Sequence, residues 1–557
     1  MRRKANSTPT ETEIKLLVQP GDLTGLRHHP LLRPAFGKSV KSRLNAVYYD
    51  DRHRTLRERG LTLRVRQMGK QRIQTIKALN GSDPARRAEW ETEIKGARPD
   101  LSKAAGTALE PLLEKKVRGP LEPVFETRIA RTAFPLHFGR SDIVVALDQG
   151  KIDTGRASLP ISEVELELTR GKLADLFQLA LRLNESVPLK LSYATKSARG
   201  YALVEGRTGG GAIANDLHLP ARIPAAQGFR LIAHECLRHL VDNFPGVAHG
   251  DAEALHQLRV AIRRLRTAIS LFRDVVAGEE TQAIAAELRW LREVTGPARD
   301  LDVFIDEVIA PIRDQHRQDK SINALYQHLR RRRLKSYAEA REALMSMRCR
   351  ELVLRIATWA EVGQWRANTD ALARARQRRP IEAHAAEQLR KLRRRIRKEG
   401  RALSGLDDAA RHKLRVEVKK LRYATEFFAS LFATKRARKR RRAFTGALRE
   451  FQEALGALND VAVRKSLSAE IANRVGPRYF DQESGRARIF VAGLVAGHQE
   501  AQVADLLGDA KKTYARFRAA KSFWKATPPA TARPARAPRA KKPRRQAARR
   551  SAPKKST

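Results

Sequence analysis

The sequence of 557 residues is poor in cysteine, in long apolar runs and in acidic charge. Two cysteines, Cys236 and Cys349, cannot form a disulfide framework or a thiolate metal cage, and they suit a reducing compartment. No run of about 18 apolar residues occurs, which argues against a transmembrane helix. The basic N-terminus lacks the apolar run of a secretory signal peptide, so we expect a soluble, cytoplasmic protein without a membrane partner.

The shortage of acidic residues leaves a large positive charge. Against 61 Asp and Glu stand 111 Lys and Arg, which gives a formal net charge of +50 and an isoelectric point near 11.1. A charge of this size attracts polyanions, for which the candidates are nucleic acid, an anionic membrane surface and phosphate polymers. Residues 525–557 carry basic residues, no acidic ones and little that could be buried, so they favour nonspecific binding of nucleic acid or polyphosphate.

The hydrophobic pattern changes twice along the chain. The first part alternates polar and apolar residues, as in ETEIKLLV and ISEVELEL, which predicts strands with two distinct faces. A glycine-rich break follows, and after it the periodicity is helical. The sequence therefore predicts an α+β multidomain protein with a β-rich domain at 8–206, a linker at 207–221, an all-α domain at 222–521 and a disordered basic Pro/Ala/Lys/Arg tail at 522–557.

The helical part contains an internal repeat. HQLRVAIRRLR at 256–266 returns as HKLRVEVKKLR at 412–422, and LREVTGPARDLD at 291–302 returns as FQEALGALNDVA at 451–462. Two similar signals in the same order and at nearly the same spacing predict two duplicated helical bundles. The alternative is that the chain contains two unrelated basic amphipathic helices.

Carboxylates gather on single faces of two predicted strands. Glu11 and Glu13 share a face of the first strand with Lys15, and a later strand places three glutamates on one face: Glu163, Glu165 and Glu167. If these faces are enclosed, they need counter-ions, and clustered carboxylate oxygens suit Mg²⁺ or Mn²⁺. The alternative is that each strand turns its charged face to solvent.

Cations follow the same alternation. Arg64 and Arg66 share one strand face and Thr75 and Lys77 share another, while further cations follow along the chain: Arg87, Arg131, Lys196 and Arg199. If they enclose the same space as the glutamates, the interior suits a phosphate chain bound with metal. Phosphoryl transfer needs this charge neutralisation together with an in-line water.

The order of these motifs resembles the CYTH domain, the triphosphate tunnel metalloenzyme family. ETEIK has the ExExK form at the start of that domain, and LTLRVRQ, TIKAL, RAEWE, LEPVFETRIART, VALDQGKI, ISEVELEL and KSARGY follow in similar order. The resemblance implies an antiparallel β-tunnel in which metal is bound by Glu11, Glu13, Glu165 and Glu167, with Glu163 assisting. It also implies that phosphates are held by Lys15, Arg64, Arg66, Lys77, Arg131 and Lys196, the first four of which we expect to act in catalysis.

The repeated helices each carry a basic stripe beside an apolar one. The stripes are His256, Arg259, Arg263 and Arg266 in the first repeat and His412, Arg415, Lys419 and Arg422 in the second. Because acidic residues are missing from these faces, the stripes predict a groove for a polyanion. The alternative is that other helices neutralise the stripes with Asp300, Asp302 and Asp460.

The two stripes resemble the CHAD domain, which implies polyphosphate binding and association with polyphosphate granules. A CYTH domain followed by a CHAD domain is similar to the bacterial inorganic triphosphatases. The resemblance therefore implies metal-dependent hydrolysis of inorganic triphosphate to pyrophosphate and phosphate. Three alternatives stay open: a non-catalytic polyphosphate-granule protein, a triphosphatase for an organic triphosphate, and a nucleic-acid-associated protein that binds through its tail.

Overall fold

A computed structural model of the chain describes residues 10–78, 86–113, 120–207, 210–473 and 503–524. Of the predicted basic tail at 522–557, only residues 522–524 belong to this part, so the predicted disorder of the tail stays a prediction. The N-terminal region is β-rich and the region after it is helical, so the predicted α+β organisation is confirmed.

Nine strands of the described part form one antiparallel sheet. Their bounds are β1 (Thr10–Leu17), β2 (Val40–Asp50), β3 (Leu61–Met68), β4 (Gln71–Ala78), β5 (Arg86–Ile94), β6 (Glu122–Phe138), β7 (Ser141–Asp153), β8 (Ser158–Arg170) and β9 (Lys190–Ser192). The order is β5-β4-β3-β2-β6-β7-β8-β1-β9, and β1 also pairs with β5 through Glu11 and Arg87. That additional pairing closes β1 to β8 into a barrel, which confirms the predicted tunnel.

Alternation along the strands divides the barrel into an apolar outer face and a largely polar inner face. Outward residues such as Leu16, Val145 and Leu166 are buried against short helices of the same domain. One end of the inner face is apolar, with Phe125 and Ile129 in a buried cluster. The charged side chains described below occupy the remainder of the inner face.

Six helices of the described part accompany the barrel: α1 (Asp22–His28), α2 (Arg33–Phe36), α3 (Thr55–Glu58), α4 (Glu110–Leu113), α5 (Leu173–Asn184) and α6 (Lys196–Val204). The α5 helix packs on the outer face of β7 and β8. The α6 helix follows β9, and its residues Lys196, Ser197, Gly200 and Tyr201 are buried. These placements matter because α6 carries two of the predicted phosphate-binding residues.

The helical region begins at Ala225. Its helices are α7 (Ala225–Asp242), α8 (Phe244–Ala248), α9 (Ala252–Leu271), α10 (Glu279–Val294), α11 (Gly296–Phe304), α12 (Ala310–Gln315), α13 (Lys320–Met345), α14 (Met347–Val362), α15 (Ala371–Arg378), α16 (Ile381–Glu399), α17 (Asp408–Phe427) and α18 (Lys435–Asn473). A π-helical turn spans Ile305–Ile309, and residues 503–519 are also helical. No helix of the described part is both long and apolar enough to cross a membrane.

The duplication predicted from the repeated motifs is visible in the geometry. The α9 and α17 helices have the same length, and each is capped by an aspartate, Asp251 or Asp407, that accepts a hydrogen bond from a backbone N–H. Pro224 and Pro380 precede α7 and α16 and form a bridge with each other. The two halves therefore begin side by side and repeat the same elements.

One apolar core continues from the barrel into the helical region. The α5 helix packs against α14, and β9 contacts both α7 and α14. A polar contact reinforces this seam, because Asn184 Oδ1 accepts hydrogen bonds from Arg350 Nε at 3.3 Å and from the backbone N–H of Leu189 at 3.2 Å. The β-tunnel and the helical region are thus packed together rather than joined only by the chain.

Candidate active site in the tunnel

The strand register gathers the predicted site residues on the inner face. On β1 and β8, Glu13 lies opposite Glu167 and Lys15 lies opposite Glu165. Further round the barrel, Arg64 lies opposite Thr75. Because side chains on one face recur at every second residue, these pairs place predicted metal ligands and predicted phosphate ligands in one lumen.

Lys196 is at the centre of a buried charge cluster. Its Nζ lies 2.8 Å from Asp148 Oδ2 and 2.9 Å from Glu165 Oε1, and it also contacts Glu163. The side chains of Asp148 and Glu163 are fully buried, and Arg199 donates to Glu163 at 3.1 Å. Burial opposes the charge of Lys196, but the three carboxylates raise its pKa well above the ordinary value.

Glu165 is shared by several cations. Lys15 Nζ lies 3.0 Å from its Oε1, and Arg131 contacts its other oxygen while forming a two-pronged bond to Asp148 at 2.7 Å for each prong. Burial opposes ionisation of Glu165, but Lys15, Lys196 and Arg131 hold its pKa well below the usual range. Glu165 is therefore ionised at neutral pH, and these cations are preorganised around it.

A second group of cations lies on β3 and β4. Arg66 Nη2 donates to Glu91 Oε1 at 2.9 Å, and Thr75 donates its hydroxyl to the same oxygen at 3.1 Å. Lys77 Nζ lies 2.5 Å from Glu89 Oε2, and Arg64 Nη2 lies 3.5 Å from Glu89 Oε1. Burial lowers the pKa of Arg66, and the neighbouring charge of Arg64 lowers it further, which marks a crowded site that an anion would relieve.

The two groups act on each other across the lumen. Arg131 of β6 adds to the electrostatic repulsion felt by Arg66, and Glu89 of β5 adds to that felt by Glu167 of β8. The two groups are therefore close enough to interact, and the strand register places both on the inner face. The lumen therefore contains two facing sets of cations with carboxylates between them.

The carboxylates of the lumen fit a hard divalent cation. Burial raises the pKa of Glu167, and the charge of Glu13 directly opposite raises it further, so a cation between them would be stabilising. Ligand oxygens of Asp148, Glu163 and Glu165 also lie within 4.8 Å of one another. There, however, the ammonium of Lys196 already contacts all three, so the Glu13 and Glu167 pair is the better metal candidate.

Two of the predicted site residues are outside the described side chains. The backbones of Glu11 and Arg87 are paired across β1 and β5, and the structure describes the side chain of neither. The sequence reasoning missed three inner-face carboxylates, namely Asp148, Glu89 and Glu91. For the glutamates a signal was present, because RAEWETE alternates acidic residues at every second position.

The predicted basic stripes of the helical region converge. Burial lowers the pKa of His256, and the charges of Arg263 on its own helix and of Lys419 on α17 lower it further. Arg263 also donates to the hydroxyl of Tyr423 at 3.4 Å. Beside this crossing lies a cavity of about 640 Å³, lined by residues of both repeats that include His256 and Arg422.

The remaining stripe residues show how the repeats correspond. Arg259 donates to the carbonyl of Arg292 at 2.8 Å and lies against Gly296, whereas Arg415 lies against Gly456 in the equivalent place. Arg266 has Arg292 as an electrostatic neighbour. In the second repeat, His412 Nδ1 lies 2.7 Å from Asn459 Oδ1.

Acidic residues neutralise the stripes only in places. Asp300 attracts Arg259, but Asp302 binds Arg333 at 2.6 Å and Tyr337 at 2.7 Å instead. The side chain of Asp460 lies outside the described ones. The expectation that no acid shares the stripe of α17 is wrong for Arg422, which lies 3.4 Å from Glu426 one turn later.

The closed, charged tunnel and the duplicated helical region both match known domain families. Residues 9–201 match the CYTH domain, and residues 231–469 match the CHAD domain. The chain therefore contains a CYTH domain followed by a CHAD domain.

Individual known proteins are similar to parts of this chain. The inorganic triphosphatase of Haemophilus influenzae is 35% identical over 207 residues, which cover 35% of this chain and 54% of that protein. A protein of Mycobacterium tuberculosis is 27% identical over 289 residues, covering 48% of this chain and 53% of that protein. The chain thus spans about half the length of the curated relatives it matches. The crystal structure of the CHAD domain from Ricinus communis is 28% identical, with a TM-score of 0.48, and covers 57% of this chain and 99% of that one.

Proposed function

We propose that the tunnel hydrolyses inorganic triphosphate to pyrophosphate and phosphate with the help of a divalent metal ion. The observation that carries this proposal is the closed lumen, in which two facing sets of cations alternate with carboxylates. The homologue named as an inorganic triphosphatase supports the choice of an inorganic substrate. A chain of phosphates needs no pocket for a base or a sugar, only charge along its length.

The cations divide the work of holding the substrate. Guanidinium groups bind phosphate oxygens with two prongs and ammonium groups bind them as point charges. Binding falls to the cations of both sets, to which we add Arg87 because its backbone pairs with that of Glu11 on β1: Lys15, Arg64, Arg66, Lys77, Arg87, Arg131, Lys196 and Arg199. To the first four we assign the further task of stabilising the charge that develops on the transferring phosphoryl group.

The glutamates of β1 and β8 would hold the metal. The main ligands would be Glu13 and Glu167, joined by Glu11. Glu165 would contribute only by giving up part of its contact with Lys15 and Lys196, and Glu163 is anchored behind them by Arg199. Mg²⁺ or Mn²⁺, when bound there, would neutralise phosphate charge and make a nearby water easier to deprotonate. In the reaction, a water oxygen forms a bond to the terminal phosphorus as the anhydride P–O bond to pyrophosphate breaks, and the water's proton passes to solvent.

Phosphate release tests this proposal. We expect release from tripolyphosphate with Mg²⁺ or Mn²⁺ that exceeds release from ATP and thiamine triphosphate, and that stops with a chelator. Glu13→Gln should reduce the rate at least about a hundredfold, as expected when charge stabilisation of the transition state is lost. Glu126→Gln is the matched control, because Glu126 pairs with Arg128 on the outer face of the barrel.

Each failure has a clear meaning. Equal rates for Glu13→Gln and wild type would refute the assignment of Glu13 to the site. Preferred cleavage of ATP or thiamine triphosphate would establish an organic triphosphate as the substrate. No metal-dependent release from any of the three compounds would favour a non-catalytic polyphosphate-binding protein.

The same proposal assigns polyphosphate binding to the CHAD domain. The convergence of His256, Arg263 and Lys419 beside a cavity supports a groove built by both repeats. Its proposed ligands are His256, Arg259, Arg263, Arg266, His412, Arg415, Lys419 and Arg422. A polyanion bound there releases counter-ions, so its affinity falls steeply with salt.

Charge reversal distinguishes a groove from general positive charge. Arg263→Glu should weaken binding of long-chain polyphosphate more than tenfold at about 0.1 M salt and flatten its salt dependence. Arg341→Glu changes the charge equally at an exposed position of α13 and should have a small effect. Equal effects of the two variants would show that net charge, and not the groove, binds the polymer.

A further inference from the structure

The helix α6 brings two cations into the tunnel and is anchored at both ends. Its first residue is Lys196, and Thr195 caps the helix by accepting a hydrogen bond from the backbone N–H of Ala198 at 2.9 Å. At the other end, the hydroxyl of Tyr201 donates to Asp50 Oδ2 at 2.9 Å within the barrel. The position of Lys196 therefore depends on what holds the chain just before Thr195.

That preceding segment is held by the CHAD domain. Tyr193 follows β9 directly, and its hydroxyl lies 2.8 Å from Nδ1 of His234 on α7. Nε2 of His234 lies 2.7 Å from Glu361 Oε1 on α14, and Arg230 donates to Glu361 at 2.9 Å. His234 and Glu361 are almost fully buried, with 3% and 5% of their surfaces exposed.

The polarity of this chain of contacts follows from its members. A carboxylate only accepts hydrogen bonds, so Nε2 of His234 carries the proton that faces Glu361. On the other side of the ring, Nδ1 shares a hydrogen bond with the hydroxyl of Tyr193 at 2.8 Å. Burial opposes ionisation of Glu361, but His234 and Arg230 lower its pKa to about 2, so the carboxylate is charged and orients the ring.

The contact adjoins the tunnel wall. A small cavity of about 40 Å³ at the seam between the domains is lined by Glu13, Lys15, Tyr193 and His234, among others. Lys15 is also paired along the backbone with Ser192, the neighbour of Tyr193. A displacement of Tyr193 would therefore affect both the strand that carries Lys15 and the helix that carries Lys196.

We propose that His234 of the CHAD domain is a positioning residue for the tunnel: by holding Tyr193 it sets the start of α6 and so keeps Lys196 in place for triphosphate binding. This inference rests on the proposed function of the tunnel. In this view the helical domain has two roles: it positions a residue of the triphosphatase site, and it binds polyphosphate as proposed above. Glu361 and Arg230 support the histidine from behind.

The test uses the full chain with Tyr193→Phe, which removes one hydroxyl, and His234→Ala. Both variants should raise KM for tripolyphosphate about fivefold, the equivalent of one hydrogen bond worth about 1 kcal/mol, with a smaller change in kcat. Amide hydrogen exchange of residues 193–204 should become faster in both. The control is Tyr337→Phe, which removes a buried tyrosine hydroxyl bound to Asp302 Oδ2 at 2.7 Å within the helical region.

Hydrogen exchange separates this inference from the proposed function. If wild type hydrolyses none of the triphosphates, the proposed function fails, while faster exchange of 193–204 in Tyr193→Phe would still support the positioning contact. Unchanged exchange and unchanged KM in Tyr193→Phe and His234→Ala would overturn the inference. So would an equal rise in KM for Tyr337→Phe, because it would reflect a general loss of stability.

Discussion

Replacing Lys196 by methionine tests the electrostatic logic of the tunnel most directly. The side chain keeps nearly its length but loses the ammonium that contacts Asp148, Glu163 and Glu165. Only 9% of Lys196 is exposed, so water cannot replace the lost charge. Removing one partner from a buried ion pair costs about 3–5 kcal/mol, and because Arg131 and Lys15 still contact Glu165, we expect about 3 kcal/mol at pH 7.

The free energy of unfolding that Lys196→Met loses should depend on pH. The cations around Glu165 hold its pKa below the unfolded value of about 4.3, so it stabilises the fold above that pH and loses this contribution as the pH falls through the folded pKa. Lys196 has a raised pKa and remains charged throughout the acidic and neutral range. The difference between wild type and Lys196→Met should therefore be largest near pH 7 and shrink below about pH 4.5.

Urea unfolding of the full chain at pH 7 and pH 4 measures this difference. Lys151→Met is a matched control on β7, because Lys151 Nζ lies 2.7 Å from Asp153 Oδ2 in a half-exposed pair and should contribute less than about 1 kcal/mol. A cost for Lys196→Met below about 1 kcal/mol at pH 7, or an equal cost at pH 4, would refute the reasoning.

Two further predictions concern packing and thiol chemistry. Gly200→Ala should lower the free energy of unfolding by about 1–3 kcal/mol, because the added Cβ would lie 2.2 Å from a ring atom of Phe125, whose ring is stacked on Tyr48. The control is Gly446→Ala, which adds a Cβ in open space on α18 and should be neutral or stabilising by up to about 1 kcal/mol in thermal unfolding. Burial raises the pKa of both free cysteines to about 12, so a thiol reagent at pH 8 should modify neither until the chain unfolds, and rapid modification of the folded protein would contradict their burial.

Local patterns were sufficient to predict which residues share a strand face or a helix face in the candidate site. Alternation in ETEIK placed Glu13 and Lys15 on one face, and the structure shows that face lining the lumen. The repeated motifs predicted the equivalent helices α9 and α17. Both predictions depend only on the period of a strand or a helix, which neighbouring residues determine.

Asp148 is an inner-face carboxylate that the strand patterns did not reveal, although the turn between β6 and β7 could have revealed it. It lies in an apolar run, so its own surroundings gave no sign of a binding site. Yet Phe138 pairs with Ser141 around a tight turn at Gly139, which has a positive φ of 63°, and that register puts Asp148 opposite Arg131. Counting back from the turn could have found this pair from the sequence.

The sequence by itself determined which faces are charged, which helices are repeated and which residue types converge. The tertiary structure alone decided that β1 and β5 pair to close the barrel. It also decided that α6 places the ammonium of Lys196 among three carboxylates, and that His234 of the helical domain contacts Tyr193 of the tunnel domain. The physical reason is that periodicity is a local property, whereas closure and contacts between domains join residues far apart in the chain. Such contacts depend on how whole faces pack, and no short pattern encodes that.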